Sequence, residues 1–243
     1  KSSQSKLEEL ENKSATAGVF NTLDDGASKT EQWVAANQKY IFITIAVVAL
    51  LVSGNLIYDS WYKKPLELKA MNEMYHSQTF FESANLTKND SLFNLSLNGS
   101  DGKFGMIDII VNYSGTKASN LANYYAGMSY LKLNDYQNAI KYLSKFDSED
   151  EIIGSISIGS IGDSFSQLNQ YEDAFDYYEK AISYSANSFT TPMYLLKAGY
   201  IGLEINEPKK SLNFFNRIKT EFSNSIEATN IDALIGMASA SIK

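Results

Sequence analysis

The chain has 243 residues and a mass of 27.1 kDa, room for one or two domains. A hydrophobic share of 44% is that of a folded protein, while a net charge of −7 and a pI near 4.9 exclude the basic face that nucleic acid requires. The sequence contains no cysteine, which excludes disulfides, thiolate metal sites, cysteine nucleophiles and lipidated cysteines.

Residues 1–39 are polar, rich in Ser, Lys and acidic side chains. "KLEELENK" at 6–13 predicts a short amphipathic helix, and the rest is expected to be a flexible tail. Then "IFITIAVVALLVSGNLI", Ile41 to Ile57, runs for 17 residues without a charge. A bilayer core needs about 17–20 such residues. Trp33 and Tyr40 on one side, and Tyr58, Trp61 and Tyr62 on the other, match the aromatic belts of a membrane span. A cleaved signal peptide would need a short basic leader and an A-x-A site, and neither frames this segment. Residues 40–62 are therefore expected to form an uncleaved single-pass anchor. Lys29 and Lys39 precede it and Lys63, Lys64 and Lys69 follow it, a balance that leaves the orientation open.

Residues 63–118 are expected to be a helical linker or the first part of a solenoid. Pro65 suits the first turn of a helix, and Leu68, Met71, Met74, Tyr75, Phe81 and Ala84 recur at helical spacing. "NGSDGKFG" at 98–105 predicts a loop and "GMIDIIVNY" at 105–113 a short helix.

From residue 119 a pattern recurs. Gly127, Tyr130, Ala139 and Leu143 return as Gly162, Phe165, Ala174 and Tyr178, and again as Gly199, Gly202, Ser211 and Phe215. The glycines stand 35 and 37 residues apart. A period of about 34 residues, with small residues where two helices cross and aromatics filling the layer, is the tetratricopeptide pattern. It predicts antiparallel helix pairs near 119–146, 152–183 and 191–219, with "EFSNSIEATNIDALIGMASA" supplying a capping helix. The expected fold is all-α: one N-terminal transmembrane helix, then a tetratricopeptide α-solenoid over 119–243. Gly127, Tyr130, Ala139, Gly162, Phe165, Ala174 and Gly199 are its expected packing positions. The inward positions of the first helices are Tyr124, Met128, Lys132, Asp163, Gln167, Met193, Tyr200 and Glu204. Tyrosine and methionine there make an adaptable wall suited to a peptide or a partner helix.

Nothing in the sequence builds a catalytic, metal or cofactor site. His76 is the single histidine and has no nucleophile pattern beside it. S-x-x-K occurs at Ser3/Lys6, Ser60/Lys63 and Ser114/Lys117 without its companion motifs. "DSEDE" at 147–151 lacks the glycine and closing glutamate of a calcium loop and reads as a solvated turn.

A polar tail, a single span, a helical segment and then "YSGTKASNLANYYAGMSYLKLNDYQNAIKYL" resemble the YfgM-type tetratricopeptide proteins of Gram-negative bacteria. The most specific stretch is "GTKASNLANYYAG". The resemblance implies an ancillary subunit of a SecYEG-type translocon in the bacterial inner membrane, with the tail cytoplasmic and the repeats periplasmic. It further implies a membrane-anchored PpiD-type chaperone and prolyl isomerase as partner, exported polypeptides as clients, and membrane lipid around the anchor. It implies no catalytic residues. The alternative reading is a structural scaffold subunit of another envelope complex, in secretion or division.

Overall fold

The computed structural model describes residues 15–242. The helix expected at 6–13 lies outside them. No strand occurs among the described residues; an isolated bridge pairs Ser100 with Lys103. The chain divides into two units, 1–62 and 63–243.

In the first unit, α1 spans Ala15–Tyr58 and is followed by a π-helical turn, Asp59–Lys63. The helix begins far upstream of the apolar run and takes in residues expected to be flexible. "EQWVAANQK" holds no proline or glycine, so a helix nucleated in the apolar stretch propagates through it. Among the described residues this is the one helix long and apolar enough to cross a membrane, and none of its most apolar window, of mean hydropathy 2.3, is buried. Trp33 and Trp61 are both exposed, and Tyr58 stacks on Tyr62 at 5.3 Å.

In the second unit, α2 (Lys64–Thr87), α3 (Asp90–Asn98) and α4 (Met106–Asn112) pack with α5 (Lys117–Lys132). Ala70, Met74, Leu97, Met106, Ile109, Ala122 and Ala126 form their core. Of the residues expected to make the apolar face of α2, Met74 and Ala84 are buried, whereas Leu68, Met71 and Tyr75 are exposed. The inward face instead includes Ala70 and Ser77, small enough for α2 to approach its neighbours closely. The Phe81 ring meets Phe93 and Tyr125 edge-on at 5.8 and 5.0 Å. Glu67 ties this bundle to the array: its carboxylate accepts from the Lys117 and Ala118 N–H groups at 2.7 and 2.8 Å, capping the start of α5. Such charge-assisted bonds satisfy donors that a helix N-terminus leaves open.

Three hairpins follow: α5 with α6 (Tyr136–Leu143), α7 (Glu151–Gln167) with α8 (Tyr171–Tyr184), and α9 (Thr190–Glu204) with α10 (Pro208–Glu221). Each second helix also packs on the first helix of the next pair. A 3-10 turn at Ile226–Ala228 then leads to α11, Ile231–Ser241, which starts later than the expected cap. Asp150, at the end of the acidic stretch, is a cap: its Oδ1 accepts from the N–H groups of Ile152 and Ile153 at 2.9 and 2.8 Å.

The three hairpin turns are built alike. Asn134, Asn169 and Asn206 sit in the left-handed region at φ of 60°, 58° and 60°. The N–H after each bonds back to a carbonyl of the preceding helix, Asp135 to Tyr130, Gln170 to Phe165 and Glu207 to Gly202. This is the Schellman closure, which asparagine tolerates better than most side chains. Asn134→Val should therefore cost about 1–2 kcal/mol, read from the urea midpoint, while Asn134→Gly should leave the midpoint unchanged; equal losses would refute the backbone explanation.

Gly127, Gly162 and Gly199 lie where the helices cross, and a Cβ on each would collide with Leu143, Tyr178 and Phe215 respectively. Tyr130 stacks on Tyr142 at 5.4 Å, and Phe165 meets Tyr177 at 5.3 Å. The third repeat has Gly202 in place of that aromatic. A Cβ there would meet Ser211 Oγ at 2.5 Å and the Phe175 ring at 3.0 Å, so Ser211 of the same repeat and Phe175 of the preceding one already fill the space.

Candidate functional site

The first helices of the three hairpins line an open cavity of about 650 Å³. Leu131 and Lys132 come from α5, Asp163, Ser166 and Gln167 from α7, and Lys197, Tyr200 and Ile201 from α9. Asn134 and Tyr136 close one side from the first hairpin turn. The repeat geometry dictates this wall: residues at equivalent positions of successive first helices are displaced by one repeat and face the same way.

Four of the eight expected groove residues line the cavity: Lys132, Asp163, Gln167 and Tyr200. The other four do not. Tyr124 is half-buried, its ring packed on Phe146 at 5.2 Å and on Tyr125 at 5.8 Å. Burial, and then Tyr125 beside it, raise its phenol pKa. Met193 packs against the core of the later repeats. Met128 is half-buried and Glu204 exposed, both outside the lining.

Sequence reasoning named Asp163 but missed the Lys197 and Tyr178 groups that form the floor of the cavity with it. Lys197 Nζ lies 2.6 and 2.8 Å from the two Asp163 oxygens, and the Tyr178 hydroxyl donates to Asp163 Oδ1 at 2.8 Å. The lysine also sits 5.5 Å from the centre of the Tyr194 ring. Burial first, then the Asp163 charge, push the Tyr178 and Tyr194 hydroxyls far above the usual phenol range. Both stay protonated at physiological pH. The floor thus carries one positive and one negative group that neutralise each other, and it is held by hydrogen bonds rather than left for a ligand to satisfy. The spacing held a signal: Asp163 and Lys197 are 34 residues apart, about one repeat, which sets them on neighbouring first helices.

Around that floor the exposed groups are Lys132, Asn134, Gln167 and Tyr200. Tyr136 donates to Asn134 Oδ1 at 2.9 Å and reaches Gln167 Oε1 at 3.4 Å. The arrangement offers the Lys132 cation, amide and hydroxyl groups, and aromatic surface. It suits recognition of backbone and side chains along a polypeptide segment. The sole histidine lies away from it, edge-on to Phe80 at 4.6 Å with Nε2 3.4 Å from Ser100 Oγ. Among the described residues no cluster of three or more His, Cys, Asp or Glu could hold a metal ion.

Two segments match family models described as tetratricopeptide repeat: residues 121–149, across α5, α6 and the loop after them, and residues 157–188, across α7 and α8. No curated protein and no solved structure matches the chain significantly. The fold is all-α, a tetratricopeptide α-solenoid that follows an N-terminal helix long and apolar enough to span a bilayer.

Proposed function

We propose that this tetratricopeptide-repeat chain is a membrane-anchored adaptor that holds segments of partner polypeptides in the cavity lined by α5, α7 and α9. The observation that carries the reading is the cavity itself: three repeats converge on a neutralised floor rimmed by exposed Lys132, Gln167 and Tyr200. The contribution is binding, with no bond made or broken. A membrane anchor confines such a cavity to two dimensions and raises its effective concentration toward any partner at the same surface. Weak contacts then suffice.

The resemblance to YfgM-type proteins supports a finer reading. The chain sits in a bacterial inner membrane with residues 1–39 in the cytoplasm and the repeats in the periplasm. It accompanies a SecYEG-type translocon and a PpiD-type prolyl isomerase, and it handles exported polypeptides. Isolation of the full chain in mild detergent should recover channel and isomerase subunits; recovery of secretion-machine or division components in their place would contradict this assignment. The lack of native cysteine makes topology directly measurable. An impermeant thiol reagent added to the periplasmic side should label Ser188→Cys and not Ser5→Cys. The opposite pattern would exclude a periplasmic repeat domain.

A further inference from the structure

The first helices of the three repeats end alike. Lys132 closes α5, Gln167 closes α7 and Glu204 closes α9. Each stands five residues after its crossing glycine, Gly127, Gly162 or Gly199, and two before the left-handed asparagine of its turn. The three positions are therefore equivalent in successive repeats and lie along one edge of the array. All three side chains are exposed. From repeat to repeat the row runs cation, amide, carboxylate.

Other charges leave that polarity intact. Apart from Lys117 and Glu151, which open α5 and α7 at the opposite end, the first helices carry Lys132, Asp163, Lys197 and Glu204. Asp163 and Lys197 neutralise each other at 2.6 Å. Asp135, in the first turn, is committed to α6: its oxygens accept from the Asn138 backbone N–H and Nδ2 at 3.2 and 2.7 Å. Glu207 and Lys209, beyond Glu204, cancel in charge. Among the described residues no ion pair engages Lys132 or Glu204. Lys132 suits the negative end of its helix, whereas the Glu204 carboxylate opposes it. That unfavourable placement has no cation beside it to offset it.

We propose, building on the cavity's role as a polypeptide site, that its ligand is an extended segment with a carboxylate at one end and a cation at the other. The carboxylate sits on Lys132 and the cation on Glu204. Neighbouring first helices touch. Packed helices lie about 8–10 Å apart, so two steps of the row span about 16–20 Å, the reach of about six extended residues. Leu131, beside Lys132, and Tyr200, one turn before Glu204 on the same face of α9, offer apolar surface to the residues between. Glu204 thus lies just past the cavity lining because it receives the end of the segment.

The probes are fluorescent, end-capped hexapeptides that share the central residues Ser-Leu-Tyr-Ser and differ only at their ends. One set carries Glu and Lys, in both orders; the others carry Glu at both ends or Lys at both ends. With the full chain in lipid nanodiscs at low salt, fluorescence anisotropy should show the tighter of the two mixed peptides binding about threefold or more better than either like-charged one. Lys132→Glu should shift the preference to the peptide with two lysines, and Glu204→Lys to the peptide with two glutamates. Both residues are exposed, so neither change disturbs the packing. Saturable but equal binding of all the peptides, or a preference that neither variant shifts, overturns the charge register while the cavity remains a polypeptide site. A preference for two lysines in the wild type and both variants overturns it as well, since attraction to the acidic chain as a whole would then explain the binding. Absence of saturable binding by every peptide overturns the register and the cavity reading together.

Discussion

Phe215→Ala is expected to destabilise the repeat unit by about 3–5 kcal/mol, the range for emptying a buried aromatic site. Phe215 is fully buried, inserts against Gly199 and meets the Tyr200 ring edge-on at 6.0 Å. Its removal leaves a void on both sides of the α9–α10 crossing. Because Tyr200 rims the cavity, the same change should loosen ligand contact there. Urea unfolding of the second unit checks the loss. A shift below ~1 kcal/mol, the range of surface substitutions and mild core swaps, would mean that the crossing does not hold the array together.

Gly199→Leu attacks the same crossing from the other side. Overpacking a tight core costs about 1–3 kcal/mol and occasionally more, and the upper end applies because a Cβ alone would already strike the Phe215 ring. The two substitutions should couple. With the ring gone, the introduced leucine gains the vacated space, so the double variant should be more stable than the sum of the single losses predicts. Strict additivity would show that Gly199 and Phe215 do not share one site.

The repeats were legible because helix crossings leave a residue signature. Gly127, Ala139, Gly162, Ala174 and Gly199 are small for steric reasons that recur with the period, and the structure places each at a crossing or in the core beside one. The bundle before them was less legible. Burial in α2 rests partly on Ala70, Ser77 and Ala84, while Leu68, Met71 and Tyr75, the stronger hydrophobic signals, face outward. The cavity was half legible for a related reason. An inward position predicts direction but not occupancy: Tyr124 has the right direction, yet Phe146, from the loop after α6, offers its ring a partner. Lys197 escaped notice because its importance comes from Asp163 on another helix, a relation that only the stacked repeats create.

The central claim is that the cavity side of the repeats, and not the outward side, receives polypeptide at the membrane. Photo-crosslinking side chains placed one at a time at Lys132, Gln167 and Tyr200, and at exposed Lys141 and Lys180 on the second helices, test it in membranes containing the full chain. The first three positions should capture polypeptide and the last two should not; capture at Lys141 and Lys180 with none at Lys132, Gln167 and Tyr200 would contradict the adaptor mechanism.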